Sequence, residues 1–287
     1  MDQATQLREM IKSQTMEKKC ARVVTVTSGK GGVGKSSVSV NLAIKLSQLG
    51  QKVIILDADF GLANVEVMLG IRPQYNLADL MFKGKTLNNI ITQGPGNIGF
   101  ISGGSGIAEL THLTDEQITY LTQKLCELDE IADIIIIDTG AGISNSIMEF
   151  AAASSEVLLV VTPEPTSITD AYALIKSLNS NPSCCENKKI KLVANRVKSI
   201  KEGEELYKKL NTVVTRFLNN ELDFFGAVPM DSNVSKALMK QTPFASMYPD
   251  CTAAISIEKM AAKLCDTDIS VRQKGIAKLF SGLIKKR

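Results

Sequence analysis

The sequence predicts an α/β fold: a doubly wound, mainly parallel sheet with helices on both faces. Short β-branched runs recur along the chain and are continuously apolar rather than alternating, as expected of strands covered on both sides. Helical patterns lie between them. A glycine-rich loop follows the first run directly, where a strand hands over to a helix.

The strands are expected at VVTVT (23–27), VIIL (53–56), IIII (134–137), VLLVV (157–161) and KLVAN (191–195), with a last short one in DFFGAVP (223–229). The first helix is expected in SSVSVNLAIKLSQLG. There Val40, Ala43, Ile44 and Leu46 recur at helical spacing before Gly50 stops it. Alternation over 21–265 reads as one sheet-centred domain. Two segments fall outside it: a polar lead-in, 1–20, and a tail, 266–287. Within the tail, residues 269–287 carry six basic side chains and no acidic one.

Composition narrows the function classes. The chain has 287 residues with 44% hydrophobic and 22% charged, enough to bury a sizeable core. A net charge of +3 is too small to imply nucleic acid by itself. Cysteines 20, 126, 184, 185, 251 and 265 form no C-x-x-C pair and read as reduced thiols. His112 is the sole histidine, which argues against histidine metal sites and catalytic triads. No apolar run is long enough to cross a bilayer, and a soluble cytoplasmic protein is expected.

The chemistry concentrates in GKGGVGKS (29–36), which satisfies G-x-x-x-x-G-K-[ST] between a strand and a helix. Gly29, Gly31, Gly32 and Gly34 let the backbone turn tightly, so that N–H groups face phosphate oxygens at a helix N-terminus. Lys35 would neutralise the β- and γ-phosphates, and Ser36 would ligate Mg²⁺. VIILDADFG sets Asp57 and Asp59 just past the second strand, at the edge where open α/β sheets bind ligands. IIIIDTGAG sets Asp138 after a buried strand, where a carboxylate can hold the metal shell through water. Turn capping is the plainer use of strand-end aspartates.

The loop GKGGVGKSS, which also holds Val33 and Ser37, resembles the deviant phosphate loop of the MinD/ParA (SIMIBI) ATPases, and the resemblance spans almost the whole chain. It implies ATP and Mg²⁺ as cofactors, ATP hydrolysis, and a homodimer closed by nucleotide. A lysine at the position of Lys30 reaches across that dimer to the partner's phosphates. Asp59 matches the aspartate that positions the attacking water, Asp57 its metal-shell neighbour, and Asp138 the Walker B acid. Asn195 in VANRV matches the adenine-reading asparagine, and GAVPMD (226–231), with Pro229 and Asp231, resembles the loop over the base. A turn residue after a strand is the plainer reading of Asn195.

Branches of the family differ around this core. DADFGLAN departs from the D-x-D-P-Q-G-N of partition ATPases, and adjacent Cys184 and Cys185 lack the spacing of iron–sulfur carriers. In the tail, Ile276, Leu279, Phe280, Leu283 and Ile284 make one apolar helical stripe among lysines, the pattern of an interfacial helix for anionic lipid. A last helix packed on the core is the alternative. DQATQLR (2–8) resembles the D-Q-A-x-x-L-R activator segment of the flagellar-number regulators, with Asp2, Gln3, Ala4, Leu7 and Arg8 as its matching residues. That branch implies the flagellar GTPase FlhF and flagellar switch (C-ring) proteins as partners. It also implies reversible attachment to the inner face of the cell membrane, with no specific nucleic acid. MinD-type division regulators and DNA partition ATPases are the alternatives.

Overall fold

The computed structural model describes residues 20–59, 64–104, 120, 123–180 and 190–266. The N-terminal residues Asp2, Gln3, Ala4, Leu7 and Arg8 lie outside the described residues, as do Ile276, Leu279, Phe280, Leu283 and Ile284 of the tail.

Among the described residues, eight strands form one sheet in the order β3-β4-β2-β5-β1-β6-β7-β8. They are β1 (Arg22–Ser28), β2 (Val53–Ala58), β3 (Ile91–Gln93), β4 (Gly99–Ile101), β5 (Ile134–Ala141), β6 (Glu156–Val161), β7 (Ile190–Val197) and β8 (Leu222–Pro229). Every described pairing is parallel except β3 with β4. Strand β1 sits between β5 and β6, although the chain reaches β2 first. The crevice at its carboxyl end is therefore a switch point of the winding, the place where such sheets bind ligands.

Helices cover both faces because the strands are apolar on both. Helix α1 (Lys35–Gln48) is buried along most of its length, and Gly50 ends it with φ 86°. Its Val40 and Ile44 share a core with Ala254, Ile257 and Met260 of the last described helix (Thr252–Asp266). On the opposite face, helices Asn145–Ala153, Pro165–Ser180 and Ile200–Leu218 pack Ile147, Leu174 and Leu206 against Leu159 and Leu192. Among the described residues, no helix is long and apolar enough to cross a membrane.

Two features differ from expectation. The antiparallel edge, β3 with β4, has no clear sequence pattern because each strand is three residues long. Asp57 and Asp138 lie inside strands rather than after them, because the β2–β5 ladder continues as far as Ala58 opposite Thr139. Ile44 has no solvent exposure. Replacing it by alanine should lower the unfolding free energy by about 2–5 kcal/mol, read from urea unfolding. A loss under about 1 kcal/mol would show that α1 is not anchored as described.

Candidate functional site

The loop between β1 and α1 is a cradle of backbone. Gly32 and Gly34 take left-handed φ of 75° and 92°, and no side chain caps α1. The first-turn N–H groups of α1, around Lys35, Ser36 and Ser37, are thus available to an anion. A Cβ added at Gly31 or Gly32 would meet nothing within 4 Å, so the mouth is open. The rest of the loop is pinned. A Cβ at Gly29 would lie 2.3 Å from the Asp170 carbonyl, and one at Gly34 would lie 2.4 Å from Asn195 Nδ2. Val33 is buried, and its carbonyl accepts from Asn195 Nδ2 at 2.7 Å.

The carboxylates converge beneath this loop. Asp57 and Asp138 are paired across β2 and β5. Asp138 Oδ1 accepts from Ser39 Oγ at 2.7 Å and lies 3.6 Å from Lys35 Nζ. Its Oδ2 is buried with no hydrogen-bond partner among the described residues. The Asp59 N–H donates to Asp57 Oδ1 at 3.0 Å, and the Asp59 carboxylate lies beside Gly140. Burial pushes the Asp138 carboxyl above the usual range. Burial first, and the Asp138 charge second, push Asp57 up to about 8.

This set fits a Mg²⁺ that arrives with phosphates. An orphaned carboxylate oxygen, a carboxyl held protonated for want of counter-charge, and the buried Ser36 hydroxyl all suit a hard divalent cation. Among the described residues no three acidic, thiol or imidazole groups converge as a metal cage. Mg²⁺ is commonly held by one or two carboxylates plus substrate phosphates instead.

The other sequence-predicted residues are placed differently. Lys30 turns away from the carboxylates: its Nζ donates to Glu164 Oε2 and Thr166 Oγ1, each at 2.7 Å. Lys30 also holds the Glu164 carboxyl below its ordinary range. Pro229 ends β8 beside β7. The carboxylate of Asp231 ties two helix starts together: Oδ1 accepts from the Asn233 N–H at 2.9 Å, and Oδ2 from Thr252 Oγ1 at 2.8 Å and the Ala253 N–H at 3.5 Å. Sequence reasoning missed Ser39, Glu164 and Thr166. Only Ser39 carries a signal, a hydroxyl one helical turn beyond Lys35.

Between pH 4 and 8 the folded chain holds a proton on Asp57 that the unfolded chain has released. The contribution of Asp57 to stability, in chelator without nucleotide, should therefore fall as pH rises through that window, by up to about 1.4 kcal/mol per pH unit. Asp57→Asn should flatten the slope of thermal midpoint against pH, with Asp138 sustaining part of it. A pH dependence of the midpoint that Asp57→Asn leaves unchanged would refute the protonated carboxyl.

Comparison with known proteins agrees with this geometry. The ParA family model, described as NUBPL iron-transfer P-loop NTPase, matches residues 19–265. The antiactivator FleN of Pseudomonas aeruginosa is 40% identical over 90% of this chain and 91% of its own. The flagellum site-determining protein YlxH of Helicobacter pylori is 33% identical over 92% and 90%. Among solved structures, the MinC:MinD cell division complex of Aquifex aeolicus aligns with TM-score 0.67 and 25% identity, over 87% of this chain and 97% of that one. MinD of Pyrococcus horikoshii in complex with Mg-ADP shares the fold, with TM-score 0.67 and 21% identity over 93% and 100%. The chain belongs to the MinD/ParA family of P-loop NTPases, in the branch that includes FleN and YlxH.

Proposed function

We propose that the chain is a Mg²⁺- and ATP-dependent dimerising ATPase that cycles on and off the inner face of the cell membrane, regulates flagellar number or placement, and acts with the flagellar GTPase FlhF. The observation that carries this reading is the opposite posture of two lysines in one loop. Lys35 is 8% exposed and faces Asp138, whereas Lys30 is 34% exposed and points away. One subunit uses the first; the second, paired at the surface with the exposed Glu164, is the one that serves another subunit. The names of FleN and YlxH support the flagellar role. The Mg-ADP complex of P. horikoshii MinD supports the cofactor.

Bound Mg²⁺–ATP supplies the reacting phosphoryl group and the cation that screens its charge. Ser36 and Asp138, with Asp57, would hold the metal, while Lys35 and the loop N–H groups hold the phosphates. Asp59 orients the attacking water. Lys30 of each subunit neutralises charge at the other's nucleotide, as an arginine finger does in trans. Asn195 gives one N–H to Val33, and an amide then still holds a second N–H and a carbonyl for an adenine edge. Asp231 fixes the 229–231 loop through its two caps.

In this reading residues 1–20 activate the partner GTPase, 21–265 form the ATPase domain, and 266–287 form a membrane-targeting helix. Dimerisation pairs two weak lipid anchors, which hold far better together than singly. A division-site role would share this chemistry and differ in its partner.

Light scattering during size exclusion tests the switch. Lys30→Ala should bind nucleotide yet remain monomeric with Mg²⁺–ATP; a dimer would sink the trans assignment. Asp59→Ala should stay dimeric and lose hydrolysis by about a hundredfold. Undiminished phosphate release would assign the water to another group. A peptide of residues 1–20 should accelerate GTP hydrolysis by FlhF, and an inert peptide would return the reading to a division-type role.

A further inference from the structure

The amino edge of the sheet, opposite the phosphate loop, holds a cavity of about 490 Å³. That volume lies in the range of small-molecule sites. The cavity opens where α1 ends and β2 begins, with Val53 and Ile54 of β2 and Gly99 of β4 on its wall. Helix α1 and strand β2 each run about 20 Å from there to the candidate site. Backbone bonds set the rim. Gly50 takes its left-handed turn there, the Gln51 N–H donates to the Leu46 carbonyl at 3.2 Å, and the Lys52 N–H to Asp133 Oδ2 at 2.9 Å. Across the mouth, the Gly94 N–H donates to the Ile98 carbonyl at 2.8 Å and closes the turn that carries Asn97.

The polar side chains around this cavity are unused by the fold. Gln51, Asn88, Gln93 and Asn97 bring four carboxamides, Ser47 a hydroxyl and Lys52 an ammonium. None of these six side chains has a hydrogen-bond or ion-pair partner among the described residues. Asn89, next to Asn88, behaves oppositely: its Oδ1 accepts from the Thr86 N–H and hydroxyl. Ile54, Ile91 and Ile131 supply apolar lining, and no described lining residue is acidic.

We propose that this cavity is a second ligand site and takes a nucleoside monophosphate. A carboxamide offers a donor and an acceptor side by side, which matches the paired groups along a nucleobase edge. The isoleucines suit the apolar faces of the ring. Lys52 is the single cation of the described lining and meets one phosphate. Helix polarity limits the charge further. Helix α1 aims its N-terminus at the phosphate loop and its C-terminus at this cavity, and the carbonyl end of a helix disfavours anions. One helix thus favours a triphosphate at one end and no more than a single phosphate at the other. The ligand touches the 47–54 segment, which joins the phosphate-loop helix to the strand of Asp57.

The test uses full-length protein saturated with Mg²⁺ and a non-hydrolysable ATP analogue, which occupies the phosphate loop. AMP, GMP, CMP and UMP are then titrated by calorimetry. At least one should bind with one further equivalent per chain and a dissociation constant below about 1 mM. Asn88→Ala and Gln93→Ala should each weaken that binding by about 2- to 10-fold. Neither should move the thermal midpoint appreciably, because neither amide bonds to the described protein. Lys52→Gln should weaken the monophosphate and leave binding of the matching nucleoside unchanged. Absence of binding below about 1 mM for all four overturns the proposal. Binding that survives in the Asn88→Ala, Gln93→Ala double variant places the ligand elsewhere and overturns it as well. Inorganic phosphate that competes as strongly as the monophosphate would mean an anion site alone, and would also overturn it.

Discussion

Two parallel strands, β2 and β5, bring Asp57 and Asp138 side by side at the sheet's carboxyl edge, and Asp59 follows two residues later. Lys35 is the cation that pairs with this cluster among the described residues, at 3.6 Å from Asp138. Burying carboxylates with so little counter-charge is unfavourable, and the protein answers by keeping Asp57 protonated. The carboxylates of the cradle are therefore short of counter-charge, which a cation with phosphates would supply. The proton and the metal–nucleotide pair become alternatives at one place.

The scaffold converts that deficit into something the rest of the molecule can sense. Helix α1 begins inside the loop and runs buried through the core to the last described helix. The loop also lies directly on the helix that begins at Pro165, with Gly29 against Asp170 and Lys30 on Glu164 and Thr166. With so little slack at Gly29 and Gly34, rearrangement of the loop is felt at that helix and at Asn195. Packing of this kind favours discrete states over gradual deformation.

The parts of the candidate site set by local sequence were legible before the fold was known. A loop of fixed spacing between a strand and a helix specifies its own geometry, so Gly29 to Ser36 could be read directly, as could the strands carrying Asp57 and Asp138. Relationships between distant segments could not. Glu164 meets Lys30 across 134 positions, and nothing in PEPT announces an acceptor for a lysine. Asp231 shows the converse, because a residue read from its loop proves to cap two helices, one of them 21 residues away. The β3–β4 edge escaped because three-residue strands have no periodicity to detect.

Calorimetric titration with preformed Mg²⁺ and a non-hydrolysable ATP analogue tests the electrostatic account most directly. It should be run near pH 7 in two buffers of different ionisation enthalpy. If the site exchanges its proton for the metal and phosphates, binding should release about one proton per chain, and Asp57→Asn should release fewer. Binding heats identical in both buffers would mean that no proton leaves, and that the carboxylates are already ionised before nucleotide arrives.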